Sequence, residues 1–244
     1  MVESLENLKS DVLFLLSSAI HVKHGIYNTE QRLVQTTRTC RSIRSYVPDA
    51  KIYVLDGGYK NITDEEGFIL DQFIDKFYNF SENQNVINVQ AIDNHDVVKN
   101  FIELYMFSIF LNDYAEIFSR NHKRIFKISG RYRLNNAFNL DDHMKEADKI
   151  VIRGPFKSQF SSKITGDVTQ QYMSRLWSFD ASLTSYIKEC YHNMLKNMMD
   201  KVNEGGYIDI EHLLFKHLDS KLVYNIPQIG IEGNIAPNGM MVQE

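Results

Sequence analysis

The 244-residue sequence is poor in several residue types that define whole protein classes. It has two cysteines, four prolines, 12 glycines and one tryptophan. Cys40 and Cys190 lie far apart and no C-x-x-C pair exists, which excludes a disulfide framework and a cysteine zinc ribbon and points to a reducing, cytoplasmic compartment. The few prolines and glycines exclude collagen-like and low-complexity chains. There is no excess of positive charge: Lys and Arg total 27 against 31 Asp and Glu, a net charge of -4. A general nucleic-acid-binding surface is therefore not expected. Long hydrophobic runs are missing too. Val12–Leu16 is too short to span a bilayer, and Val97–Phe118 is broken by Lys99, Glu103, Asn112 and Asp113, so a soluble protein without a transmembrane segment is expected. The first residues are acidic where a secretory leader would be basic. Finally, there is no G-x-G-x-x-G, no G-x-x-x-x-G-K-[ST] and no G-x-S-x-G. Dinucleotide oxidoreductases, P-loop NTPases and α/β-hydrolases are disfavoured.

What is present is aromatic: 15 Phe and 13 Tyr. Those in 96–120 and 183–202 sit at helical spacing and read as core. Tyr59, Tyr132 and Trp177 fall near strand ends, where a ring can stack on a base or a sugar. No linker or repeat interrupts the chain, which reads as one domain. Strands are expected at Val12–Ser17, Lys51–Leu55, Asn85–Val89, Arg124–Ser129 and Lys149–Arg153, with a further one within Tyr172–Phe179. Helices are expected at Thr29–Tyr46, Ile62–Phe80, Asp96–Arg120, Leu183–Val202 and Ile208–Leu218. Lys221–Ile235 reads as extended. The first half alternates strand and helix, which predicts an α/β domain with a mostly parallel central sheet, helices on both faces and a mixed α+β C-terminal half. Ligands of such sheets bind beyond the carboxyl ends of the strands. Three of those ends are polar or glycine-bearing: Ser17-Ser18, Asp56-Gly57-Gly58 and Ser129-Gly130-Arg131.

VLFLLSSAIH, the helix TEQRLVQTTRTCRSIRSYVPD and then KIYVLDGG together resemble the opening of GT-A-type, nucleotide-sugar-dependent glycosyltransferases. FKISGRYRLN (126–135) is similar to a K-x-x-G-R-Y segment of bacterial and viral glycosyltransferase-like proteins, and IEHLLFKHL with IGIEGNIAPNG resembles the end of such chains. The resemblance spans most of the sequence. It implies a Rossmann-like GT-A domain over 1–244, with residues to about 125 forming a nucleotide-binding half and those from about 126 an acceptor half. It implies sugar transfer from a nucleotide-diphosphate donor to a glycan or other hydroxyl acceptor, in surface glycan or polysaccharide synthesis. By resemblance, Ser17, Ser18 and Asp56, with Gly57 and Gly58, hold the nucleoside.

The sequence departs from the family where metal-dependent members carry Asp-x-Asp to hold Mn or Mg. Ser129-Gly130-Arg131 stands there instead. The leaving diphosphate still needs its charge neutralised, and an arginine fork suits that task. Arg131 is the candidate, with Arg133 or Lys127 in support and Gly130 and Tyr132 beside it. An inverting transfer needs a base for the acceptor hydroxyl, and the resemblance implies that it comes from the acid-rich start of a late helix, here Tyr207-Ile208-Asp209-Ile210-Glu211-His212. Glu211 and Asp209 are the candidates, and Asp209 reads equally as a helix N-cap with His212 at the third helical position. Asp93, His95 and Asp96 have metal-ligand residue types at close spacing, although turn and cap chemistry, with Asp96 as N-cap, is the simpler reading. Asp141-Asp142-His143 reads as a solvated loop or cap. His21 and His24 flank the loop after the first strand, within reach of phosphate or sugar hydroxyls. Two alternatives compete: a nucleotidyltransferase of related fold, and a catalytically inactive glycan- or nucleotide-binding module.

Overall fold

The computed structural model describes residues 10–23, 25–235 and 238–244. His24 and residues 236–237 lie outside the described residues. The first β-α-β-α-β passage comprises β1 (Val12–Ser18), α1 (Thr29–Tyr46), β2 (Lys51–Asp56), α2 (Asp64–Asp71) and β3 (Lys76–Asn79). Then come α3 (Gln84–Gln90), the long α4 (His95–Asn121), β4 (Arg124–Ser129) and β5 (Tyr132–Leu134). Short elements follow: α5 (Leu140–Met144), β6 (Ile150–Ile152), β7 (Phe156–Lys157), α6 (Ser162–Thr165) and β8 (Gln170–Gln171). The chain closes through β9 (Leu176–Asp180), α7 (Thr184–Asn203), α8 (Ile210–His217), β10 (Val223–Asn225), β11 (Ile231–Asn234) and β12 (Met241–Gln243).

Seven strands form the central sheet in the order β10-β6-β9-β4-β1-β2-β3. β3, β2, β1 and β4 run parallel. β9 is antiparallel to both β4 and β6, and β10 returns parallel to β6. This is the mostly parallel α/β sheet the sequence predicts. Two small sheets, β12-β11-β5 and β7-β8, flank it.

Strand periodicity sorts the side chains between two layers. Phe14 and Leu16 of β1, Ile52 and Val54 of β2, and Phe126 and Ile128 of β4 join the core shared with Cys40 and Ile43 of α1. Leu13, Leu15, Tyr53, Leu55 and Ile125 face the other way, into the core of α4, α7 and α8. α4 is apolar nearly all round at Leu104, Met106, Phe107, Phe110 and Leu111 because it lies between the sheet and α7. Trp177 is 1% exposed and packs against Phe179 and Tyr191. It belongs to this core and is no sugar platform.

Two expected elements are corrected. Residues 62–80 are not one helix: α2 is set by a Thr63/Glu66 capping box and ends at Asp71. A turn then leads into β3, fixed by Asp75, which accepts from the Ile52 N–H at 2.9 Å and pairs with Arg44 at 2.6 Å and Lys51 at 2.9 Å. Asn85–Val89 is not a strand. The Asn83 side chain accepts from the Asn85 and Val86 N–H groups and starts α3, which buries Val86 and Val89 one helical turn apart.

Candidate functional site

The β1, β2 and β4 ends lie on one rim because their registers align them. Ser18 pairs with Asp56, and Ser17 with Ser129. The Gly57 N–H donates to the Ser18 carbonyl at 3.0 Å, and the Gly130 N–H to the Ser17 carbonyl at 2.8 Å. The glycine at 57 follows from packing: a Cβ there would overlap Ile102 and Met106 of α4. At 130, a Cβ would press on Leu16 and Thr36. Both helices thus come close to the rim.

Above this rim lies a cavity of about 150 Å³. Its floor includes Ser17, Ser18, Gly57, Ser129 and Gly130, and its walls include Lys23, Arg32, Lys99 and Arg131. Among the described residues, neither Arg32 nor Arg131 forms an ion pair with a carboxylate. The Arg32 Nε is buried without a hydrogen-bond partner. Burial and then the like charge of Arg131 pull the Arg32 guanidinium down to about 10, although Asp56 opposes this. Two cations that disfavour each other at one cavity make a site for an anion.

Asp56 itself is 1% exposed and lies beneath this cavity, not in its wall. Its carboxylate accepts from the Ile20 and Gly58 N–H groups, each at 2.9 Å. Burial raises its carboxyl above the usual range, against those hydrogen bonds. In this structure Asp56 anchors the β1 loop to the end of β2. Tyr59, 40% exposed, lines the cavity mouth edge-on to His21. His21 also borders the cavity, but its Nε2 lies 2.9 Å from Glu66 and its Nδ1 3.2 Å from Thr29.

A second cavity of about 800 Å³ adjoins the first and shares Lys99, Glu103, Ser129 and Arg131 with it. Glu211, Asp209, Tyr132, Arg153 and Arg175 are among its lining. The junction is a buried polar chain. Lys127 and Ser129 alternate with Phe126 and Ile128 and so point to the α4 side of the sheet. There the Lys127 Nζ lies 2.6 Å from Glu103 and donates to the Ser174 carbonyl at 2.8 Å. The Ser17 hydroxyl donates to the other Glu103 oxygen at 3.2 Å. The Ser174 hydroxyl in turn donates to Glu211 at 2.5 Å. Lys127, 1% exposed, is thus committed to Glu103 and lines neither cavity. The Arg133 guanidinium is likewise taken, by Glu232.

Asp209 is the N-cap of α8: it accepts the His212 N–H at 3.0 Å and also holds the His212 Nδ1 at 2.5 Å. Tyr207 and Asn100 tie the start of α8 to α4, with the Asn100 amide donating to the Tyr207 hydroxyl at 3.1 Å. Burial, then the Asp209 carboxylate, raises the Glu211 carboxyl above the ordinary range, with Glu103 adding to it. That is the environment of a carboxylate able to take a proton.

The metal candidates disperse. Asn94, not Asp96, caps α4, and Asp96 pairs with Lys99 at 2.7 Å. Asp93 is exposed. Asp141-Asp142-His143 opens α5 under an Asn139 cap. It is no solvated loop at its third residue: His143 is buried against Ser178, its imidazole pushed down to about 3 by burial and Arg124. Among the described residues no three His, Cys, Asp or Glu side chains are grouped to hold a metal. The donor set at the rim does not fit a divalent cation either. Its walls are basic, and the one carboxylate there, Glu103, is engaged by Ser17 and Lys127.

Sequence reasoning overlooks Arg32, Glu103, Arg153 and Arg175. Glu103 does leave a trace, a charge inside an otherwise apolar helical stretch. The three arginines leave none, because packing of distant segments brings them to the cavities.

No protein-family model and no curated protein sequence matches the chain. Solved structures do. The chain is similar to the galactosyltransferase LgtC in complex with donor and acceptor sugar analogs, at 10% identity and a TM-score of 0.51, over 88% of this chain and 73% of that one. An active-site mutant of LgtC gives a TM-score of 0.53 at 10% identity, over 88% and 72%. The bifunctional glycosyltransferase WbbM matches in its apo form at 8% identity and a TM-score of 0.51, over 90% of this chain but 39% of that one. At such identities the likeness is one of fold: the chain has a GT-A-like glycosyltransferase fold. No described helix is long and apolar enough to cross a membrane.

Proposed function

We propose that the protein is a glycosyltransferase that moves a sugar from a nucleotide-diphosphate donor to a hydroxyl acceptor. The observation that carries this reading is the convergence of Arg32 and Arg131, unpaired with any described carboxylate, on a cavity at the carboxyl ends of β1, β2 and β4. An anionic ligand is the partner such a pair lacks. The GT-A-like fold supports the choice of a nucleotide sugar.

In this reading residues 1–125 supply most of the donor side and 126–244 the acceptor side. Ser17, Ser18, Gly57 and Gly130 let the donor lie close to the backbone, while Asp56 and Gly58 shape the loop beneath it. Arg131 and Arg32 offset the charge that develops on the diphosphate as the bond from the sugar anomeric carbon to its oxygen breaks. Glu211 takes the proton of the acceptor hydroxyl as that oxygen bonds to the anomeric carbon, a direct displacement. Asp209 raises the proton affinity of Glu211 and caps α8. Lys127 and Glu103 hold the two sides in register. No step calls on a metal, since the rim carries cations where a metal would need carboxylates.

The test is product analysis with a panel of nucleotide sugars and simple hydroxyl acceptors. The expected result is release of nucleoside diphosphate together with a glycosylated acceptor. Pyrophosphate release would establish nucleotidyl transfer instead. Binding of a nucleotide sugar without turnover of any acceptor would establish a binding module.

A further inference from the structure

The larger cavity holds a cationic group that the transfer chemistry above does not use. Arg153 follows β6 and Arg175 precedes β9, and the two strands are neighbours. Both arginines line the cavity that contains Glu211. The Arg175 Nη1 lies 2.8 Å from the Glu244 Oε1, and the Arg153 Nη1 lies 3.1 Å from the same oxygen. The Glu244 Oε2 is buried without a hydrogen-bond partner. Two guanidiniums thus share one carboxylate oxygen, and the other goes unused. A carboxylate can accept from both oxygens at once, so this pairing is electrostatically incomplete.

The arginines are held in place independently of Glu244. The Arg153 Nε donates to the Pro227 carbonyl at 3.0 Å and its guanidinium lies over Phe156, 5.2 Å from the ring centre. The Arg175 Nε donates to the Tyr132 hydroxyl at 3.3 Å, with the guanidinium 5.7 Å from that ring. The backbone of Glu244 is fixed as well, its carbonyl accepting from the Gly230 and Ile231 N–H groups. Only its side chain would have to turn aside. A neutral sugar is recognised through hydroxyl hydrogen bonds and needs no guanidinium pair, whereas paired arginine forks match the geometry of a carboxylate or phosphate.

We propose that Arg153 and Arg175 form a subsite for an acidic group on the acceptor, a carboxylate or phosphate borne by a sugar, and that the Glu244 side chain occupies it until such an acceptor displaces it. The proposal rests on reading this cavity as the acceptor side.

Calorimetric titration of the full chain with glucuronate, glucose 6-phosphate and glucose tests it, with uridine diphosphate as the reference ligand. At least one anionic sugar should bind about tenfold or more tightly than glucose, as two charge-assisted contacts would provide. The stronger of the two identifies carboxylate or phosphate as the group. Arg153→Gln should weaken anionic binding about tenfold while leaving uridine diphosphate within about twofold. Glu244→Gln should tighten anionic binding about fivefold, a gain that misfolding cannot mimic. Equal affinity for glucose and both anionic sugars, or no gain in Glu244→Gln, would overturn the proposal. Loss of uridine diphosphate binding alone would remove the donor reading and leave the subsite standing.

Discussion

The two cavities share four residues yet are built on opposite electrostatic plans. The smaller one sets Arg32 and Arg131 against each other, and its single carboxylate, Glu103, is engaged by Ser17 and Lys127. The larger one places Glu211 and Asp209 together, so that the second raises the proton affinity of the first, and holds its arginines around Glu244. Like charges crowd in both places. In the proposed reading the first crowding suits an incoming anion, and the second raises the proton affinity of Glu211. The Lys127–Glu103 pair lies between them.

The largest effect expected from breaking this arrangement is on chemistry. Glu211→Gln should lower the transfer rate about 10²- to 10⁴-fold, the range of general-base catalysis, with nucleoside diphosphate affinity unchanged. The wild-type rate should rise with pH through an acid limb lying above the ordinary glutamate value of about 4.3, because the proposed base must be ionised to act and burial and Asp209 raise its carboxyl. Arg131→Met acts on the other cavity. It should weaken nucleoside diphosphate binding about tenfold or more, the loss of one charge-assisted contact of about 1.5–3 kcal/mol, and leave the acid limb in place.

The boundary is tested by stability. Lys127→Met leaves Glu103 partly buried with only the Ser17 hydroxyl, and should cost about 3 kcal/mol in a urea unfolding curve. The smallest effect is expected from Asp209→Asn. Asparagine caps a helix as well as aspartate does, so stability should change by less than about 1 kcal/mol. Removing the like charge should bring the Glu211 acid limb down toward the ordinary range. An unmoved limb would show that burial alone sets that carboxyl.

Much of this fold is legible in the sequence, and the reasons are local. β1, β2 and β4 are short apolar runs with polar ends, and α1 and α4 carry clear helical periodicity. Where two readings share one pattern, sequence alone misleads. Val86 and Val89 suit a buried strand or two turns of helix, and the Asn83 cap decides for helix. Phe73, Phe77 and Tyr78 continue the period of α2, but the Asp75 links to Arg44, Lys51 and Ile52 impose a turn and an edge strand. The rim could be anticipated because parallel strands bring their carboxyl ends together. Arg131 follows directly from that. Arg32, a helix residue about a hundred positions earlier, reaches the same cavity only through the packing of α1 on the sheet. Arg153, Arg175 and Glu244 meet through strand order and the β11–β12 return, which no local pattern records.

In the proposed reading Arg32 and Arg131 together hold a diphosphate. The most direct test of that reading is calorimetric titration of uridine, uridine monophosphate and uridine diphosphate into the wild-type chain and the Arg32→Met/Arg131→Met double variant. Affinity should rise with each phosphate in the wild type, and the series should collapse to the level of uridine in the variant. Equal affinities across the wild-type series, or a variant that binds the diphosphate as tightly as the wild type, would contradict it.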